Sequence, residues 1–139
     1  MKLILVPTDG SPAARRALSK ALELARKFKS KIIAANVIEP VGWTVATADA
    51  LVLEARAQEW QAGVLKEAER MARGKGARIR TAALRGVVAD ELVAYAKKTK
   101  CDLIVMGSRG LSRTDRFLLG SVSDRVLHHA PCSVLIVRK

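Results

Sequence analysis

Gly107, Gly110, Gly120 and Ser121 stand in the pattern Gly-x2-Gly-x9-Gly-Ser, inside the stretch GSRGLSRTDRFLLGS that directly follows the apolar run DLIVM. The chemistry this spacing suits is phosphate binding. Glycines let the backbone come close to an anion and turn so that successive N–H groups converge on it. Gly120-Ser121 then opens a predicted helix, whose free N–H groups and positive dipole end favour the same anion. Ser121 and Ser123 add hydroxyl donors, and Arg109, Arg113 and Arg116 add cationic ones. Glycine-rich turns after strands are common, so these residues alone fit a plain turn as well as a phosphate cradle. They form neither of the two familiar phosphate loops. No lysine lies between Lys100 and Lys139, which excludes a Walker loop, and Gly-x-Gly-x-x-Gly is absent.

Other reactive side chains are sparse. Asp9 is the carboxylate expected near such a loop, whereas Asp115 and Asp124 read as solvent-facing. His128 and His129 are neighbours on a helix, so they point about 100° apart and cannot share a metal; they suit the negative end of that helix. Cys101 and Cys132 lack metal-site or CxxC spacing and read as reduced thiols. They would approach each other only if the strands that follow them are parallel neighbours.

The elements that must position these residues alternate. Apolar strands are predicted over Lys2 to Val6, Ile32 to Ile38, Arg78 to Leu84, Asp102 to Met106 and Ser133 to Val137. Between them run four helices. The first starts at Ser11-Pro12, a favoured cap pair, carries Ala14, Leu18, Ala21, Leu22, Ala25 and Phe28 on one face, and ends near Ser30. The second spans about Ala50 to Arg73, with Ala55, Ala62, Leu65, Ala68 and Ala72 in helical period and Gly74 and Gly76 ending it. Val88, Leu92, Tyr95 and Ala96 mark the third, and Ser121 to His129, stopped by Pro131, is the fourth. Trp43 and Trp60 are expected to pack in the segment after the second strand. This alternation is that of one α/β domain, residues 1–139, around a mainly parallel sheet. Ligands bind such sheets beyond the carboxyl ends of the strands, where the strand order reverses.

The net charge is +12. Basic proteins attract polyanions, but here the lysines and arginines are scattered over helix faces and do not interleave with aromatics, so a solvated basic surface is the expected reading. Apolar runs are too short for a membrane span, and Pro7 and Asp9 interrupt the N-terminal one before it could serve as a signal peptide; a cytoplasmic location is expected.

Four segments in order, LVPTDGS, NVIEP, CDLIVMGSRGLS and GSVSDRVLHHAPCSVLIVRK, resemble the universal stress protein family over the full length, and the loop glycines match its ATP-binding subgroup. The resemblance implies a Rossmann-like three-layer sandwich, of the adenine nucleotide alpha hydrolase type, with strand order 3-2-1-4-5. It implies that Pro7, Thr8 and Asp9 flank the base and ribose, that Val37 meets adenine through its backbone, and that Met106 and Gly107 close over the sugar. Gly110, Gly120, Ser121, Val122 and Ser123 would cradle the phosphates, with Arg109 beside them. Mg²⁺ or Mn²⁺ would bridge phosphate oxygens, with Asp9 a further candidate ligand. It also implies a homodimer through strand five, Val134 to Val137. The expected function is an ATP- or ADP/AMP-binding regulator in stress response with slow or no hydrolysis. The alternatives are a slow metal-dependent ATP hydrolase and a polyanion- or nucleic-acid-binding module.

Overall fold

The structure is a computed structural model that describes residues 1–40, 48–109 and 119–138. Strands β1 (Leu3–Pro7), β2 (Lys31–Ile38), β3 (Arg80–Arg85), β4 (Leu103–Gly107) and β5 (Ser133–Val137) alternate with helices α1 (Pro12–Phe28), α2 (Ala48–Gly74), α3 (Val88–Thr99) and α4 (Ser121–His129). The strands form one sheet in the order β3-β2-β1-β4-β5, every neighbouring pair parallel. This is the predicted α/β sandwich and strand order.

Side chains alternate across a strand, so each apolar strand feeds both faces. Ile4, Val6, Ile32, Ala34 and Val105 pack under α1 and α2, against Leu18, Ala21, Ala68 and Ala72. Leu5, Ile33, Ala35, Ile104 and Met106 pack under α3 and α4, against Leu92, Ala96 and Val126. Sheets covered on both faces need continuous apolar strands, which is why KIIAANVI and LIVMG read as they do.

The central pairing is short. β1 follows β2 through five residue pairs, Leu3↔Lys31 to Pro7↔Ala35, but meets β4 only at Ile4↔Leu103 and Leu5↔Ile104. Past that point the two strands part. Their shared start is clamped by Asp102, whose Oδ2 accepts hydrogen bonds from Lys2 N at 2.7 Å and Leu3 N at 2.8 Å. Asp102 N in turn donates to Leu3 O at 2.9 Å. Those backbone donors, Leu3 first and then Lys2, hold the Asp102 carboxyl below the usual aspartate range.

Three expectations are corrected. Phe28 is 56% exposed, because α1 ends there and the chain turns at Lys29, in the left-handed region at φ 54°, toward β2. In α2 the buried positions are Gln61, Val64, Leu65, Ala68 and Ala72, and Ala55 and Ala62 are exposed. A helix of 27 residues is about 40 Å long, while the eight residues of β2 span about 26 Å. The helix therefore outruns the sheet, and its first half buries nothing fully. Strand bounds also shift: β1 covers Leu3–Pro7 and β3 begins at Arg80, where pairing with Ile33 starts. Among the described residues no helix is long and apolar enough to cross a membrane.

The Asp102 clamp has a testable pH signature. A carboxyl whose folded pKa is depressed contributes stability that is present above its unfolded value and lost as pH falls through the folded one. The thermal midpoint should therefore drop more steeply for the wild type than for Asp102→Asn between pH about 5 and about 2. Parallel midpoint curves for the two proteins would remove the clamp.

Candidate functional site

Where β1 and β4 separate, a cavity of about 340 Å³ opens at the carboxyl ends of the strands. That size lies within the roughly 300–1,000 Å³ of small-molecule sites. Two helix starts face it, and they are built differently.

The first follows β1. Thr8 N extends the ladder by donating to Ala35 O at 2.8 Å. Thr8 Oγ1 then accepts from Gly10 N at 3.2 Å, and Asp9 Oδ1 accepts from Ser11 N at 2.9 Å. Gly10 has φ +78°, a conformation that favours glycine. Ser11 Oγ accepts from Ala14 N at 3.1 Å and caps α1. This turn thus satisfies much of its own backbone with its own side chains, and Pro7, Thr8 and Asp9 form one wall of the cavity.

The second start is α4. Its N-cap is Gly120, which makes no side-chain cap hydrogen bond. Gly120 N donates to Ser108 O at 2.7 Å, joining the two ends of the loop in a neck. The first helical turn, Ser121, Val122 and Ser123, lines the cavity with Arg109 beside it. Its positive dipole end and N–H groups make this the side suited to an anion. Ser123 differs from expectation in its hydroxyl: it is 4% exposed, and Oγ donates to Gly107 O at 2.8 Å. That proton is committed to the neck, so a ligand would meet Ser123 through its backbone.

Two glycines stand at close approaches of the backbone. A Cβ on Gly107 would lie 2.9 Å from Ala13 Cβ and 3.1 Å from its carbonyl carbon, so β4 and the start of α1 meet there without a side chain. A Cβ on Gly120 would stand 3.3 Å from Ser108 O, inside the neck.

The opposite wall comes from β2 and α2. Val37 and the adjoining Asn36 line it. Asn36 is 3% exposed; its Nδ2 donates to Thr8 O at 2.7 Å, which fixes the amide's orientation. Its Oδ1 is buried with no hydrogen-bond partner among the described residues. An orphaned acceptor of this kind costs about 1–3 kcal/mol. Gln61 Nε2 donates to both Asn36 O and Leu84 O at 2.9 Å, tying the ends of β2 and β3 to α2. Trp60, expected to pack, is instead 44% exposed at the cavity; it precedes Gln61, the first buried residue of α2. Met106 and Leu92 complete the apolar floor.

Thus Pro7, Thr8, Asp9, Val37, Met106, Gly107, Arg109, Gly120, Ser121, Val122 and Ser123 all line one cavity. Gly110, Arg113, Asp115, Arg116 and Trp43 lie outside the described residues. Asn36 and Trp60 were not anticipated. The sign of Asn36 was available, a polar residue in an otherwise apolar strand interior; the sign of Trp60 was not, because its exposure follows from the length of α2. His128 and His129 sit at the far end of α4, with His128 Nδ1 2.8 Å from Asp124 O. Among the described residues no three His, Cys, Asp or Glu side chains stand together as a metal group.

Comparison with known proteins places this geometry. The Universal stress protein family matches residues 1–138. A universal stress protein of Methanocaldococcus jannaschii is 40% identical over 99% of this chain and 82% of its own length. The structure of universal stress protein UspA from Lactobacillus plantarum superposes with a TM-score of 0.85 at 28% identity, covering 99% of this chain and 97% of the other. A universal stress protein solved in complex with cAMP superposes at 0.76 with 34% identity, covering 98% and 96%. With its fold, strand order and near full-length sequence match all in agreement, the chain belongs to the universal stress protein family.

Proposed function

We propose that this protein binds an adenine nucleotide, ATP or a relative of it, in the crevice between β1 and β4, and acts in stress response as a nucleotide-dependent regulator rather than a turnover enzyme. The observation that carries the reading is the pairing of a self-capped turn with a helix start whose cap is a glycine, both lining one cavity. The crevice has an apolar end for a base and a cationic, N–H-rich end for phosphate. A related structure of the same family holds cAMP, which also combines an adenine base with a phosphate.

In this arrangement Val37 and the Pro7–Asp9 turn flank the base and ribose, and Met106 and Gly107 cover the sugar. Backbone N–H groups of Ser121, Val122 and Ser123 receive the phosphates, with Arg109 beside them. Gly120, whose own N–H is held by Ser108 O, serves the cradle by leaving the helix start without a side chain, and Gly110 is assigned to the same cradle by the motif. A divalent cation, Mg²⁺ or Mn²⁺, would be held chiefly by phosphate oxygens, with Asp9 the nearest carboxylate of the site. Asp9 Oδ1 already holds the Ser11 N–H, a positioning task, so proton abstraction by Asp9 is not needed to explain its place. Turnover of about 10⁻³ s⁻¹ or slower is expected, the scale of phosphoryl transfer without an added charge-neutralising group. We further propose a cytoplasmic protein that dimerises through β5, the edge strand whose neighbour on one side is β4.

The nucleotide reading is tested by calorimetric titration of the full chain with ATP, ADP, AMP and cAMP. At least one should bind, and Gly120→Val should weaken it at least about tenfold, because a side chain there crowds Ser108 O and shifts the helix start that faces the ligand, with far-ultraviolet circular dichroism unchanged. Equal affinity in the folded variant would sink the phosphate cradle. Steady-state phosphate release well above the stated rate, abolished by Asp9→Ala, would instead establish the hydrolase. For the dimer, light scattering across micromolar concentrations should give twice the mass of one chain; a single-chain mass throughout would discard the β5 pairing.

A further inference from the structure

At the end of the sheet opposite the crevice, Cys101 Sγ and Cys132 Sγ stand 3.6 Å apart, both reduced. Cys101 precedes β4 by two residues and Cys132 precedes β5 by one, and these strands are parallel neighbours paired from Leu103↔Ser133. Both thiols belong to the core under α3 and α4. They differ in access: Cys101 is 6% exposed, whereas Cys132 is half-buried.

We propose that Cys101 and Cys132 form a reversible disulfide site, which a low-molecular-weight disulfide closes by two exchange steps. In the first, the Cys132 thiolate attacks one sulfur of the small disulfide. A Cys132 mixed disulfide forms and one small thiolate leaves. In the second, Cys101 loses its proton to solvent and its thiolate attacks Cys132 Sγ. The Cys101–Cys132 bond forms and the second small thiolate leaves. Two protein thiols are oxidised and one small disulfide is reduced to two thiols, so the electrons balance.

The geometry favours the second step. The sulfurs need to approach by only about 1.5 Å to reach bonding distance, and strand pairing already holds the two backbones side by side. Burial, followed by the hydrogen bond and charge of Cys132, pushes the Cys101 thiol up to about 12. Once Cys132 is a mixed disulfide it carries no negative charge, and that part of the penalty is lifted. Closure should therefore be slow at neutral pH and faster as pH rises.

The ring so formed has a defined content. The two cysteines are 31 positions apart, and between them lie all of β4, the Gly107–Gly120 loop and all of α4. The bond would join the two ends of the phosphate-facing unit by a covalent link at the sheet's opposite end. By restricting the unfolded chain it should raise the thermal midpoint by roughly 5–10 °C.

The test incubates the native full chain with glutathione disulfide at graded ratios to glutathione, followed by acid quenching, intact mass and peptide mapping. Wild type should lose two hydrogens, with Cys101 and Cys132 recovered in one linked peptide pair and the midpoint raised. Cys101→Ser should stop with one glutathione on Cys132, and Cys132→Ser should stay unmodified until denatured. A stable mixed disulfide on wild-type Cys132, a Cys132–Cys132 link between two copies, or two unreacted thiols under the most oxidising ratio would each overturn the proposal. The wild-type map decides the matter even if a serine variant fails to fold.

Discussion

The whole arrangement depends on β1 and β4 pairing for two residues and then separating. Had the ladder run on, as it does between β1 and β2, its hydrogen bonds would have sealed the space that forms the crevice. What keeps the strands together below is the Asp102 clamp, and what lets them part above is the arrival of α1. The helix enters so close to Gly107 that no side chain fits between them. Ala13 of α1 is the counterpart of that glycine: a bulky pair at this contact would push the helix off the sheet.

The two walls then divide the chemistry. In the turn after β1, side-chain oxygens of Thr8, Asp9 and Ser11 receive the turn's own N–H groups. Little donor capacity is left over, and the wall presents oxygen. At α4 the cap residue has no side chain, so the helix start presents N–H groups and a positive dipole end. One crevice therefore has an accepting side and a donating side. This polarity suits a ligand with hydroxyls at one position and phosphate at another, and it arises from a choice of cap residues rather than from many charged groups.

How much of this was legible in the sequence differs from element to element. The bounds of α4 and β5 could be read because Gly120 and Pro131 punctuate them with residues whose backbone limits are severe. The apolar strands were plain because a sheet covered on both faces tolerates nothing else. The burial of α2 was not legible: periodicity reports which face is apolar but not where the sheet beneath it ends. Trp60 shares that ignorance, since its exposure is set by the overhang of the helix. Asn36 was visible as an odd polar residue, yet its bond to Thr8 O connects two strands whose adjacency sequence pattern alone leaves open. The meeting of Cys101 and Cys132 likewise required the strand order, which the family resemblance supplied and local pattern did not.

The Asp102 clamp has a kinetic side. It joins the first residues of the chain to a residue 100 positions later, and the crevice beyond it likewise draws its lining both from residues 7–9 and from Gly107, Arg109 and residues 120–123. Contacts so distant in sequence are closed late and slowly, because loop-closure entropy must be met before they contribute. No early fragment of the chain can contain the whole crevice: β1, β2 and α2 precede β4, yet the lining also needs residues of β4 and α4. Whatever occupies the crevice thus joins early and late segments of the chain, so its occupancy is tied to unfolding of the whole sheet rather than to the fraying of one part.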